Sequence, residues 1–160
     1  MKKGLLYIFA LSFCLLVLEG CKRSTDITRI VEIYCEKENL TFDSKWNVCY
    51  IIPGGGCSTC IASGFTFLFA NKKDFSKEQN ENVVVFTSVR SKKLLMRNLG
   101  NHKLDDFNYI LDSSDEYLLD SKDNKYPLVI YLEQGKIKRA ESQSPGSNAL
   151  NNLESYFRKY

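Results

Sequence analysis

Cys57-Ser58-Thr59-Cys60 sets two thiols three residues apart at the start of an apolar helical pattern. Before the motif, Val48 to Ile52 is a short apolar stretch that reads as a buried strand. Pro53 with Gly54, Gly55 and Gly56 is a breaker cluster that turns the chain sharply. After the motif, Ile61, Phe65, Leu68 and Phe69 recur at helical spacing. Thiols so placed can close a small disulfide ring. The helix N-terminus offers Cys57 unpaired backbone N–H groups and partial positive charge, which favour its thiolate. The pair reads as a reversible redox couple. A structural disulfide, or half of a metal knuckle, is the other use of the same residues.

The elements that must hold this pair follow from the rest of the chain. Ile27, Ile30, Val31 and Tyr34 predict an amphipathic helix from Asp26, its N-cap, to about Lys37. Strand Asn47 to Ile52 leads into the motif helix, Ser58 to about Ala70. Asn71 to Asn82 is charged and loop-like. Val83-Val84-Val85-Phe86 is a β-branched run, read as a strand buried on both faces. Lys92 to Leu99 reads as a helix ended by Gly100, and Phe107 to Leu111 as a third strand. Leu128 to Leu132 and Ile137 to Ala140 flank Glu133-Gln134-Gly135-Lys136 as a hairpin, and a last helix aligns Leu150, Leu153, Tyr156 and Phe157. Strands alternating with helices imply a parallel sheet, to which the hairpin adds antiparallel strands. The expected class is α/β, a mixed central sheet with helices on both faces plus an N-terminal helix.

Residues 1–20 read as a signal peptide: Lys2 and Lys3 precede an apolar run, Leu5 to Leu18, too short to span a bilayer comfortably. Leu18-Glu19-Gly20-Cys21 resembles the lipobox of bacterial lipoproteins, which implies a lipidated Cys21 and a tether over 21–25. Residues 26–160 then form one domain, with 26–44 as an N-terminal extension. A hydrophobic fraction of 44% with 12% aromatic residues excludes a disordered chain, and a net charge of +3 gives no argument for nucleic acid. Once Cys14 and Cys21 are set aside, Cys35, Cys49, Cys57 and Cys60 remain, an even set suited to an oxidising compartment. Four cysteines allow three connectivities. The spacing favours Cys57 with Cys60. Cys35 with Cys49 is then a candidate structural bridge, and a reduced, small apolar Cys49 is the alternative.

C-x-x-C on the first strand-to-helix turn, with Tyr126-Pro127 opening the hairpin and Gln134-Gly135-Lys136-Ile137 turning it, resembles the thioredoxin fold. More narrowly it resembles the TlpA/ResA group, related to the AhpC/TSA proteins, of membrane-anchored thiol–disulfide oxidoreductases, over about Lys45 to Tyr160. Val83 to Phe86 and Tyr109-Ile110-Leu111-Asp112 match further pieces of that group. The resemblance implies that Cys57 attacks, Cys60 resolves, Pro127 is a cis-proline facing them, and the Tyr126 backbone pairs with an extended substrate. It implies no cofactor. The partners would be protein thiols and disulfides, with a membrane or periplasmic electron donor, at a lipid-anchored site in the bacterial envelope facing the periplasm. Lys22 after the lipidated cysteine resembles outer-membrane sorting. Two departures bear on turnover. Gly56 stands where the group usually has an aromatic residue, and Ile51 or Ile52 stands where many thioredoxins hold a buried acid that moves the resolving proton.

Two other functions draw on the same residues. Pro53 followed by Cys57 and Cys60 resembles peroxiredoxin spacing, with cysteine replacing a hydroxyl residue and Arg90 or Arg139 as partner; Cys60 would then pass through a sulfenic acid. A lipid-anchored binding or assembly module that kept the fold without turnover is the non-enzymatic reading. A four-cysteine zinc site is a poor fit, because only one knuckle has ligand spacing and Cys49 lies within a strand. His102, in a Gly100-Asn101-His102 loop, reads as solvated.

Overall fold

A computed structural model describes residues 27–119 and 122–159. The leader, Cys21 with its tether, and the Asp26 cap lie outside the described residues. Five strands form one mixed sheet in the order β3-β2-β1-β4-β5. They are β1 (Val48–Pro53), β2 (Asn82–Thr87), β3 (Tyr109–Asp112), β4 (Leu128–Glu133) and β5 (Lys136–Ser142). The helices are α1 (Ile27–Glu38), α2 (Ser58–Ala70), α3 (Lys92–Leu99) and α4 (Ala149–Phe157). β1 runs parallel to β2, with Ile52 opposite Phe86, and antiparallel to β4, with Cys49 opposite Ile130. The strand that carries the motif is therefore the middle one, buried along its whole length.

Alternation along the strands divides the core in two. Val48, Tyr50, Ile52, Val84 and Phe86 face one side, where Phe65 and Leu68 of α2, Leu95 and Leu99 of α3 and Leu153 of α4 cover them. Cys49, Ile51, Val83, Val85, Leu128 and Ile130 face the other, under Val31 and Cys35 of α1. Helices thus pack on both faces. Thr28 of α1 also accepts the backbone N–H of Ala140 at 3.0 Å, tying the helix to edge strand β5.

The hairpin turn has a simple local cause. Gln134 and Gly135 both take positive φ, 52° and 76°, the geometry of a two-residue connection whose twist matches its strands. The stretch Asn71 to Asn82 is less loop-like than its charges suggest. Phe75 is fully buried there, 6.0 Å from the Tyr50 ring and edge-on to Phe157 at 5.4 Å. Burying such a side chain contributes about 2 kcal/mol, enough to anchor the connector against the sheet. The third strand begins at Tyr109 rather than at Phe107, which instead enters the core.

Candidate functional site

Cys57 and Cys60 are joined by a disulfide. Cys57 is the N-cap of α2, so its extended backbone starts the helix and its Sγ accepts the Cys60 N–H at 3.4 Å. Thr59 Oγ1 lies 3.4 Å from the same sulfur. Two potential donors therefore face Cys57, an arrangement that suits a thiolate once the ring opens. The cysteines differ in access. Cys57 is half-buried at the surface, whereas Cys60 is only 7% exposed. An incoming sulfur reaches Cys57 first.

The glycine turn before the motif is pinned rather than slack. Gly54 donates to Thr87 O at 2.7 Å, and Cys57 N–H donates to Lys125 O at 2.9 Å. A Cβ on Gly54 would stand 2.4 Å from Ser88 O, and one on Gly56 would stand 2.4 Å from Lys125 O. Gly56 also has φ +121°, open to glycine alone at little cost. Gly55 faces open space. Gly54 and Gly56 therefore let two distant backbone segments close on the motif.

One of those segments carries Tyr126 and Pro127, so the structure does bring them to the motif. Pro127 is buried, with its ring beside Gly64, one turn along α2 from Cys60. Tyr126 is half-buried, with Lys125 Nζ 5.1 Å from its ring centroid. The expected cis bond is corrected: the Tyr126–Pro127 peptide is trans. Trans is the lower-energy form even before proline, and Pro127 stands just before β4, where its missing N–H costs no ladder bond.

The Cys35–Cys49 bridge is corrected as well. Both are free, buried thiols on the α1 side of the sheet. Each packs among apolar side chains as a small apolar residue does. Burial pushes the Cys35 thiol from 9.0 up to about 11. Burial, and then the nearness of Cys35, raises Cys49 further. The unfolded chain loses these protons first, so this contribution to stability is whole below about pH 9 and lost as pH rises through about 11. Tm should therefore fall between pH 8 and 10.5, and less steeply in Cys35→Ala. An unchanged slope in that variant would refute the assignment.

Gln143 is a site residue that sequence reasoning passed over. It is buried just beyond β5, and its backbone N–H donates to Pro127 O at 2.8 Å. Its Nε2 donates to Cys60 O at 2.9 Å and to Ser63 Oγ at 2.7 Å, while its Oε1 accepts from Tyr50 Oη at 2.7 Å. The Cys60 carbonyl can only accept, which fixes the amide orientation. Burial raises the Tyr50 hydroxyl pKa, so it stays a donor. One signal could have pointed here: a tyrosine on a buried strand usually places its hydroxyl on a partner.

Two clefts border the motif. One of about 360 Å³ lies over Thr59, Cys60, Ser63, Gln143 and Ser147. The other, about 400 Å³, is lined by Gly54 to Gly56, Ile61, Phe65 and Phe69. Arg90 stands at a smaller recess by Ile52 and Pro53, while Arg139 lies over the Tyr131 ring and pairs with Glu141 at 2.8 Å. His102 is half-buried and stacked on Phe69 at 4.2 Å, so its ring is packed rather than simply solvated. Comparison with protein-family models, curated proteins and solved structures finds no match to this chain.

Proposed function

We propose that this chain is an extracytoplasmic thiol–disulfide oxidoreductase of the thioredoxin-like class, held at the membrane through a lipidated Cys21. The observation that carries the reading is the Cys57–Cys60 ring at the head of α2, with Cys57 accessible and Cys60 buried. The central motif strand, the antiparallel hairpin and the packing of Pro127 against α2 support the thioredoxin-like class. The leader-like run and Cys21 support an envelope location. Among the described residues, no helix is long and apolar enough to cross a membrane.

In the reducing direction, Cys57 thiolate attacks one sulfur of a partner disulfide. The partner S–S bond breaks, its other sulfur leaves as thiolate, and a mixed disulfide forms. Cys60 loses its proton and attacks Cys57 Sγ, closing the ring and releasing the second partner thiolate. The partner gains two electrons and the motif loses two; a donor dithiol reverses the change. The chemistry uses no cofactor.

Reduced protein should therefore reduce an accessible disulfide such as that of insulin, and Cys57→Ser should abolish the activity. Fast consumption of peroxide instead of disulfide would favour the peroxidase reading. One observation favours a non-catalytic binding or assembly lipoprotein: Ile51 and Ile52, at one of which the resemblance implies a buried acid, are both buried and apolar. On that reading the Cys57→Ser protein would keep its biological role.

A further inference from the structure

We propose that Gln143 is a positioning residue for the resolving step, holding Cys60 where it can close on Cys57. The inference rests on the oxidoreductase reading and assigns a role that the motif leaves vacant. When the ring is open, no sulfur–sulfur bond holds the Cys60 side chain against Cys57. The geometry of attack must then come from what holds the first turn of α2. Four groups from three parts of the site converge on Gln143. Its side chain grips the Cys60 carbonyl and the Ser63 hydroxyl of α2, its Oε1 is anchored by Tyr50 of β1, and its own N–H is bonded to Pro127 at the start of β4.

The network is closed. Both amide hydrogens and the amide oxygen have partners, and Ser63 Oγ itself donates to Cys60 O at 3.0 Å. It also dictates the glycine inside α2. A Cβ on Gly64 would stand 2.7 Å from Tyr50 Oη and 3.4 Å from Gln143 Oε1. A mid-helix glycine costs about 1 kcal/mol relative to alanine, so the helix gives up propensity to let the tyrosine hydroxyl reach the amide. A buried network with every member satisfied rigidifies what it touches. Here it touches the residue that must strike within the mixed disulfide.

In that step Cys60 Sγ attacks Cys57 Sγ. The Cys57–Cys60 bond forms, the bond from Cys57 to the partner sulfur breaks, and the partner leaves as a thiolate that takes up a proton. Attack by Cys57 on the incoming disulfide precedes it and does not need Cys60. Loss of Gln143 should thus slow closure and spare attack.

The test uses the full chain with Cys14 and Cys21 changed to serine, reduced and mixed with glutathione disulfide. Glutathionylated protein is followed as it forms and as it decays. In Gln143→Met, decay by ring closure should slow at least about tenfold, with formation changed by less than about twofold. Single loss strands the Tyr50 hydroxyl, so Tyr50→Phe/Gln143→Met is the companion variant. Removing both partners should restore thermal stability yet leave closure slow. A folded double variant that closes at the native rate, or one in which attack and closure fall by the same factor, would overturn the proposal. A native Cys57 inert to glutathione disulfide would overturn the oxidoreductase reading itself, and is told apart because neither the adduct nor the Cys57–Cys60 ring forms.

Discussion

Cys60→Ala should turn the protein into a covalent trap. Cys57, half-buried at the head of α2 and faced by the Thr59 hydroxyl and the residue 60 N–H, keeps the contacts that favour its attack. The residue that would release the partner is gone. A neighbouring thiol held in one ring acts at an effective concentration that free thiols cannot match, so mixed disulfides should persist about 100-fold longer. The check is a mixed-disulfide complex with a model disulfide protein, resolved without reductant and dissolved by dithiothreitol. Cys57→Ala should give none, because Cys60 is buried. Equal trapping by both variants would contradict the assignment of attacker and resolver.

Gly56→Ala should be the most damaging substitution in the glycine turn. The new methyl would meet Lys125 O at 2.4 Å and Lys125 Cα at 2.6 Å, both backbone atoms, in a φ of +121° that alanine avoids. Relief would require moving Lys125, which accepts the Cys57 N–H, or moving the motif itself. Steric overlap added to backbone strain predicts a loss of about 3 kcal/mol, read as a fall in Tm of roughly 10 °C. Gly55→Ala, with open space around its Cβ, should stay within about 1 kcal/mol. Thermal unfolding of the two variants side by side checks this, and equal losses would refute the pinned turn.

How much of this could be read from the chain depended on whether the cause was local. Helical spacing in Ile61, Phe65 and Leu68, the β-branched run Val83 to Phe86, and Gly135 between two strand patterns are short-range signals, and each element lies where they put it. The pairing of Cys57 with Cys60 was legible for the same reason. The failures came from contacts between distant segments. Gly54 to Gly56 read only as a breaker cluster, because nothing nearby tells that Ser88 and Lys125 will fill the space that Gly54 and Gly56 leave. Phe75 lay in a charged stretch whose composition hid a residue that packs on Tyr50. Cys35 and Cys49 do lie on one side of the sheet, but an even count of cysteines carries no information about whether two thiols bond. Gln143 stands in a run of small polar residues and a proline–glycine break; its function comes from Tyr50, Cys60 and Pro127, all remote in sequence.

Exchange at Cys57 and Cys60 is best tested by a redox titration of the chain from Lys22 to Tyr160 in glutathione or dithiothreitol buffers, with alkylation counting thiols at each potential. One reversible two-thiol transition is expected above about −300 mV, absent in Cys57→Ser, with Cys35 and Cys49 reduced throughout. A Cys57–Cys60 bond that stays locked across the range, or that never forms, would contradict it.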